Sequence, residues 1–122
     1  MIPTNIALHQ KSRVLEITWP DDVVHRLPCE YLRVHSPSAE VRGHAPGDEV
    51  LQVGKEDVNL NAIEPVGHYA VKLVFDDNHD SGLYTWGYLR ELGEQQESRW
   101  EDYLQRLRAA GHERNVNRLG LG

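Results

Sequence analysis

Alternating apolar residues come first in this chain and helical spacing comes last, and that order limits the fold more than any other feature. In Tyr69–Phe75, Tyr69, Val71, Leu73 and Phe75 fall on one side of an extended chain, with Ala70, Lys72 and Val74 on the other. Val58–Val66 precedes this strand across Gly67 and is predicted to pair with it. Nearer the N-terminus, Arg13–Trp19 places Leu15, Ile17 and Trp19 on one face. Asn5–His9 joins it through the polar Gln10-Lys11-Ser12, and Pro20-Asp21-Asp22 is a turn signal ahead of a short strand Val23–Leu27. Pro28 suits the first position of a short helix running to about Val34, with Tyr31 and Leu32 buried and Pro37 ending it.

Helical signals dominate the C-terminal part. Thr85 is predicted to cap a helix Trp86–Leu92, and Gly93 to stop it in the left-handed conformation. Ser98 and Glu101 have the spacing of a capping box. Trp100, Tyr103, Leu104 and Leu107 then recur at i, i+3, i+4 and i+7 as one apolar stripe. Gly111 ends that helix, and His112–Gly122 reads as a frayed polar tail. Strands first and helices last, without strict βαβ alternation, predict an α+β fold: a mainly antiparallel sheet, short helices, and a C-terminal amphipathic helix packed on it. A length of 122 residues suits one domain, with residues 96–122 adding the last helix and tail to a body formed by residues 1–95. Between Ser36 and Asp57 no period survives, and this stretch reads as a long loop, either a mobile insertion or a functional one.

Charge excludes one class of partner. With 19 acidic against 13 basic residues, and the basic ones scattered beside acids, the chain lacks the stripe that phosphate neutralisation needs, so no nucleic acid is expected. No apolar run approaches the ~20 residues of a membrane span, so no membrane is expected. Met1–Gln10 lacks the pattern of a secretory signal, which leaves the cytoplasm as the expected location. The single cysteine, Cys29, permits no internal disulfide and no cysteine-rich metal site, and beside apolar neighbours it reads as core.

Seven histidines raise the question of a metal site. His9 and His25 fall in strands, His44 in the long loop, His68 at a strand start and His112 after the last helix, with no helical i, i+4 pair among them. A His-x-Asp iron pattern fails, because His79 is followed directly by Asp80. The turn Asp76-Asp77-Asn78-His79-Asp80 is the densest group of potential ligands, but it lacks the register of a calcium loop. It reads as a reversal whose side chains bond their own backbone. Ser36 and Ser38 lack a nucleophile-elbow frame, and no phosphate-cradling glycine loop is present. Trp86, Tyr88 and Trp100 suit either an aromatic binding patch or, more simply, the core.

Two stretches carry a resemblance: Leu27-Pro28-Cys29-Glu30-Tyr31-Leu32-Arg33-Val34-His35-Ser36, and Val74–Leu92 with its acidic turn followed by Ser81-Gly82-Leu83-Tyr84-Thr85-Trp86-Gly87-Tyr88-Leu89-Arg90. From about Ile6 to Leu92 the chain resembles the N-terminal domain of γ-butyrobetaine hydroxylase, known in bacteria as the stand-alone DUF971 family. The resemblance implies an α+β domain that is not itself the oxygenase. Relatives fused to P-loop carriers of iron–sulfur clusters hint at a role in metal-cofactor metabolism. Hydroxylase versions hold a structural zinc through three cysteines spaced C-x-C-x-x-C and the histidine of the later turn. Here those positions correspond to Ser36, Ser38 and Val41, with His79 retained. A closed zinc site needs about four nitrogen or sulfur ligands, so no zinc is predicted.

The expectation is therefore a non-catalytic adaptor, not an enzyme, with no cofactor, acting through an unidentified protein partner as a monomer or weak homodimer. Its interaction surface is expected to include His35, His44, His79 and Trp86, with His79 anchoring its turn by hydrogen bonds to the loop after Arg33. The alternative is an accessory protein in metal or iron–sulfur handling, with a weak metal site around His79, His35 and Asp80.

Overall fold

The computed structural model describes residues 1–114; beyond Arg114 the expected polar tail lies outside the described residues. The strands form two three-stranded antiparallel sheets rather than one. β1 (Asn5–His9), β2 (Val14–Thr18) and β3 (Val24–Pro28) lie in that order in the first. β4 (Leu60–Val66), β5 (Ala70–Phe75) and β6 (Leu83–Thr85) form the second. Leu15 opposes Leu8 and Leu27, and Ile17 opposes Ile6 and His25, so the alternating face of β2 points inward. On β5, Val71, Leu73 and Phe75 are buried as the period-two pattern predicts, whereas Tyr69 precedes the strand and is exposed. The sheets share one core, and the Gln10 amide donates to the Leu60 carbonyl (2.9 Å) while the Asn59 amide donates to that of Gln10 (2.9 Å).

The helices are α1 (Cys29–Val34), the single turn α2 (Ala39–Arg42), α3 (Trp86–Glu94) and α4 (Gln96–Ala109). Thr85 caps α3 as predicted, its hydroxyl accepting from the Tyr88 N–H. Two terminal expectations need correction. Gly93 lies within α3, which runs on to Glu94 with Gln95 as its C-cap. A Cβ at Gly93 would stand 2.2 Å from His25 Nδ1, so the glycine serves close packing of α3 on β3 rather than a helix stop. Ser98 lies inside α4, its hydroxyl donating to the Gln95 carbonyl, because the helix has already begun at Gln96. The stripe of α4 is real, but Tyr103 and Leu107 pack with Val34 and Leu51, and Trp100 meets Tyr31 edge-on at 6.4 Å. The last helix thus covers α1 and the long loop.

That loop is also more structured than the sequence suggests. Ser38 caps α2, the Val50 N–H bonds to the Val41 carbonyl, and the Tyr103 hydroxyl donates to the Gln52 carbonyl at 2.7 Å. Arg33, 6% exposed, reaches from α1 to the Gln52 side chain (3.0 Å) and to Asp77 (2.9 Å), and Lys55 binds the same carboxylate.

Candidate functional site

The end of α1 and the β5–β6 turn meet where the sequence places its one cluster of polar signals. Asn78, at φ 68, lets the turn reverse, a conformation Asn tolerates better than most residues. The Phe75 N–H to His79 carbonyl bond closes the turn. His79 is thereby directed inward, 4% exposed, against buried Ser36 and Ser38. Its Nε2 lies 2.8 Å from Ser36 Oγ, and its Nδ1 3.3 Å from Glu40 Oε2. Ser36 Oγ accepts from the Ser38 N–H (3.2 Å), and Ser38 Oγ lies 2.7 Å from Ser81 Oγ. Gly82 permits this closeness, since a Cβ there would stand 2.5 Å from Ser36 Oγ.

Donor and acceptor roles assign the protons. A carboxylate can only accept, so a bond to Glu40 places the proton on Nδ1; Nε2 then accepts from the Ser36 hydroxyl. Burial, reinforced by the charge of Arg33, holds the His79 imidazole below its ordinary pKa and favours this neutral form. Partial burial by itself would raise the Asp77 carboxyl, but hydrogen bonds from Lys55 and Arg33 hold it below the usual range.

The connectivity of Ser36, His79 and Glu40 is that of a nucleophile, base and acid. Ser36 is, however, 1% exposed, and its hydroxyl lies close against Gly82. The donor set does not fit zinc, since two hydroxyls and an alkyl group accompany an imidazole whose nitrogens are both engaged. Among the described residues, no three His, Cys, Asp or Glu side chains are placed to hold a metal ion.

The remaining expected site residues are dispersed. His35 bonds the Tyr31 carbonyl through Nδ1 (2.9 Å) and lies on the Tyr31 ring, and burial lowers its pKa. Asp80 is exposed on the outer side of the turn, where its charge acts on Lys72. Trp86 is half-buried against the core with its indole N–H on the His68 carbonyl, and His79 is interior. His35 and His44 do share a place: an open groove of about 730 Å3 between the long loop and helices α3 and α4. There Arg42 stacks 4.8 Å from the Tyr88 ring centre and Arg99 lies 5.9 Å from it. Arg99 is paired with Glu91 and Arg106 with Asp102. Glu40 and Arg42 escaped the sequence reading, whereas Tyr88 was named there with Trp86 and Trp100; Ser38 followed by Glu40 is a helix-start signal that would have flagged the first of them.

Two small antiparallel sheets on one core, with a buried hydroxyl–imidazole clasp tying the β5–β6 turn to the segment after α1, define a small α+β domain. The family of γ-butyrobetaine hydroxylase-like N-terminal domains matches residues 6–90, and the chain belongs to it. Two solution NMR structures are similar. One shares 55% identity at a TM-score of 0.79, covering 93% of this chain and 84% of its own. The other shares 49% at 0.80, covering 98% and 97%. A crystal structure from Acidithiobacillus ferrooxidans, a protein of unknown function in the DUF971 family, shares 42% at 0.63 and covers 75% and 91%. A search of curated proteins finds no match. No helix among the described residues is long and apolar enough to cross a membrane.

Proposed function

We propose that this chain is a non-catalytic adaptor of the cytoplasm, a monomer or weak homodimer, that works by docking a protein partner in the groove beside α3 and α4. The observation that carries this reading is a contrast. Ser36, Ser38 and His79 are buried and hydrogen-bonded, whereas the groove holding His35 and His44 is open and floored by Val34, Val41 and Leu51. Apolar floor, stacked Arg42 and Tyr88, and a polar rim are the composition of a protein-binding surface. The alternative, metal or cluster handling at His79, has less support because both ring nitrogens already have partners.

The test uses the tagged chain with Arg42→Glu and His44→Glu together, against His68→Glu on the distant β4–β5 turn. Proteins retained from a lysate by wild type and the His68 variant should be lost from the groove variant. Equal retention by all three would overturn the groove assignment. Succinate formed from 2-oxoglutarate with iron(II) would overturn the non-catalytic reading.

A further inference from the structure

A second groove, lined by charged residues and Trp100, lies beside α4. Glu30 opens α1 and is buried, with 8% of its surface exposed. Its carboxylate is gripped by the guanidinium of Arg114, Nε to Oε2 at 2.8 Å and Nη2 to Oε1 at 2.5 Å. The same guanidinium stacks 5.0 Å from the centre of the Trp100 ring. Carboxylate fork and aromatic face together are the means by which proteins select arginine over lysine. Beside Arg114 an open groove of about 660 Å3 continues past Pro28, Glu94 and Glu97, whose acids extend the negative character of the site.

Arg114 follows the end of α4 at Ala109 and the left-handed Gly111, at φ 79. Among the described residues beyond Gly111, the side-chain bonds to the body are those of Arg114. The receptor, by contrast, is built from α1 and α4 and carries the fork acceptor in the fold itself.

We propose that Glu30 and Trp100 form an arginine-binding pocket for an arginine-bearing segment of a partner protein, and that Arg114 occupies it in cis as an internal competitor. Charge complementarity identifies the occupant: a buried carboxylate with flanking glutamates and an indole face suits a guanidinium. The partner segment enters only as the arm swings away, so the site is autoinhibited.

The test follows the Trp100 indole N–H by NMR in the full chain, with a peptide of the sequence of residues 111–117 as probe. In Arg114→Ala the vacated pocket should bind the peptide in trans, moving the Trp100 signal toward its wild-type position. Binding to wild type should be at least ten-fold weaker, and so should binding of the same peptide with lysine for arginine. A folded Arg114→Ala chain whose Trp100 signal ignores the peptide, or equal binding of the lysine peptide, would overturn the proposal. If Arg114→Ala does not fold, Arg114→Lys replaces it under the same criteria, and wild type must still show displacement at the highest peptide concentration. A wild-type dimer that vanishes in the variant would overturn the partner reading in favour of arm exchange between copies.

Discussion

His79→Ala tests the clasp directly. The substitution removes a buried hydrogen bond to Ser36 at 2.8 Å, which is a loss of about 1 kcal/mol. Deleting a ring that lies 6.0 Å from the Phe75 centre leaves a cavity adding about 1–2 kcal/mol. The Glu40 bond contributes little, because that side chain is 71% exposed and returns to water. A total of about 2–3 kcal/mol, at about 3–5 °C per kcal/mol for a chain of this size, lowers Tm by roughly 6–15 °C. A double-mutant cycle with Ser36→Ala should show coupling of about 1 kcal/mol. The pH dependence has a definite sign. His79 is held below its ordinary value of 6.5 when folded, so the unfolded chain takes up a proton first as pH falls. Stability is complete above about pH 6.5 and declines below it, toward the folded pKa. His25 and His35 are lowered too, so His79→Ala should reduce this acid slope without abolishing it. Calorimetry showing a Tm within 2 °C of wild type, or an unchanged slope below pH 6.5, would refute the reasoning.

Gly93→Ala should destabilise by about 1–3 kcal/mol in urea denaturation, because the clash with His25 outweighs the ~1 kcal/mol gain in helix propensity; a stabilised variant would remove the packing explanation. Cys29 is fully buried and its thiol is pushed up to about 11 by burial, so native protein at pH 8 should resist iodoacetamide until it unfolds. Labelling within minutes in the absence of denaturant would contradict this. Replacing Ser36, Ser38 and Val41 together by cysteine should give a chain that retains stoichiometric zinc through gel filtration and loses it when His79 is also changed to Ala. Retention unaffected by His79 would place the ion elsewhere.

Legibility tracked the range of the interactions involved. The strands were readable because alternation in Val14–Thr18 and Ala70–Phe75 is written in consecutive residues and bounded by turn formers. Thr85 was readable as a cap because its partner is only three residues away. Gly93 misled because its cause is His25, on a strand distant in sequence, and nothing local separates a packing glycine from a terminating one. Ser98 misled because the Ser–Glu spacing occurs just inside a helix as readily as at its start. The long loop carried no period because single side chains tie it down, Arg33 to Gln52 and Lys55 to Asp77, and such ties leave no pattern. The anchoring of His79 to the segment after Arg33 was legible; its second partner, Glu40, was not.

The energies separate what holds this fold from what positions its turn. A structural zinc site contributes about 10–16 kcal/mol of apparent binding energy, enough to decide whether a small domain folds. Hydrogen bonds such as those of Ser36 and Ser38 contribute about 1 kcal/mol each and cannot substitute for that. Stability must therefore come from Trp19, Tyr31, Phe75, Leu15, Ile17, Leu73 and their neighbours, each under 2% exposed and each worth about 1.5–3 kcal/mol when buried. The clasp acts on a smaller scale, fixing the Asp76–Gly82 turn against α2. Its loss should accordingly speed amide exchange in that turn and in α2 while β2 and β5 stay protected, because local opening there exposes little of the shared core.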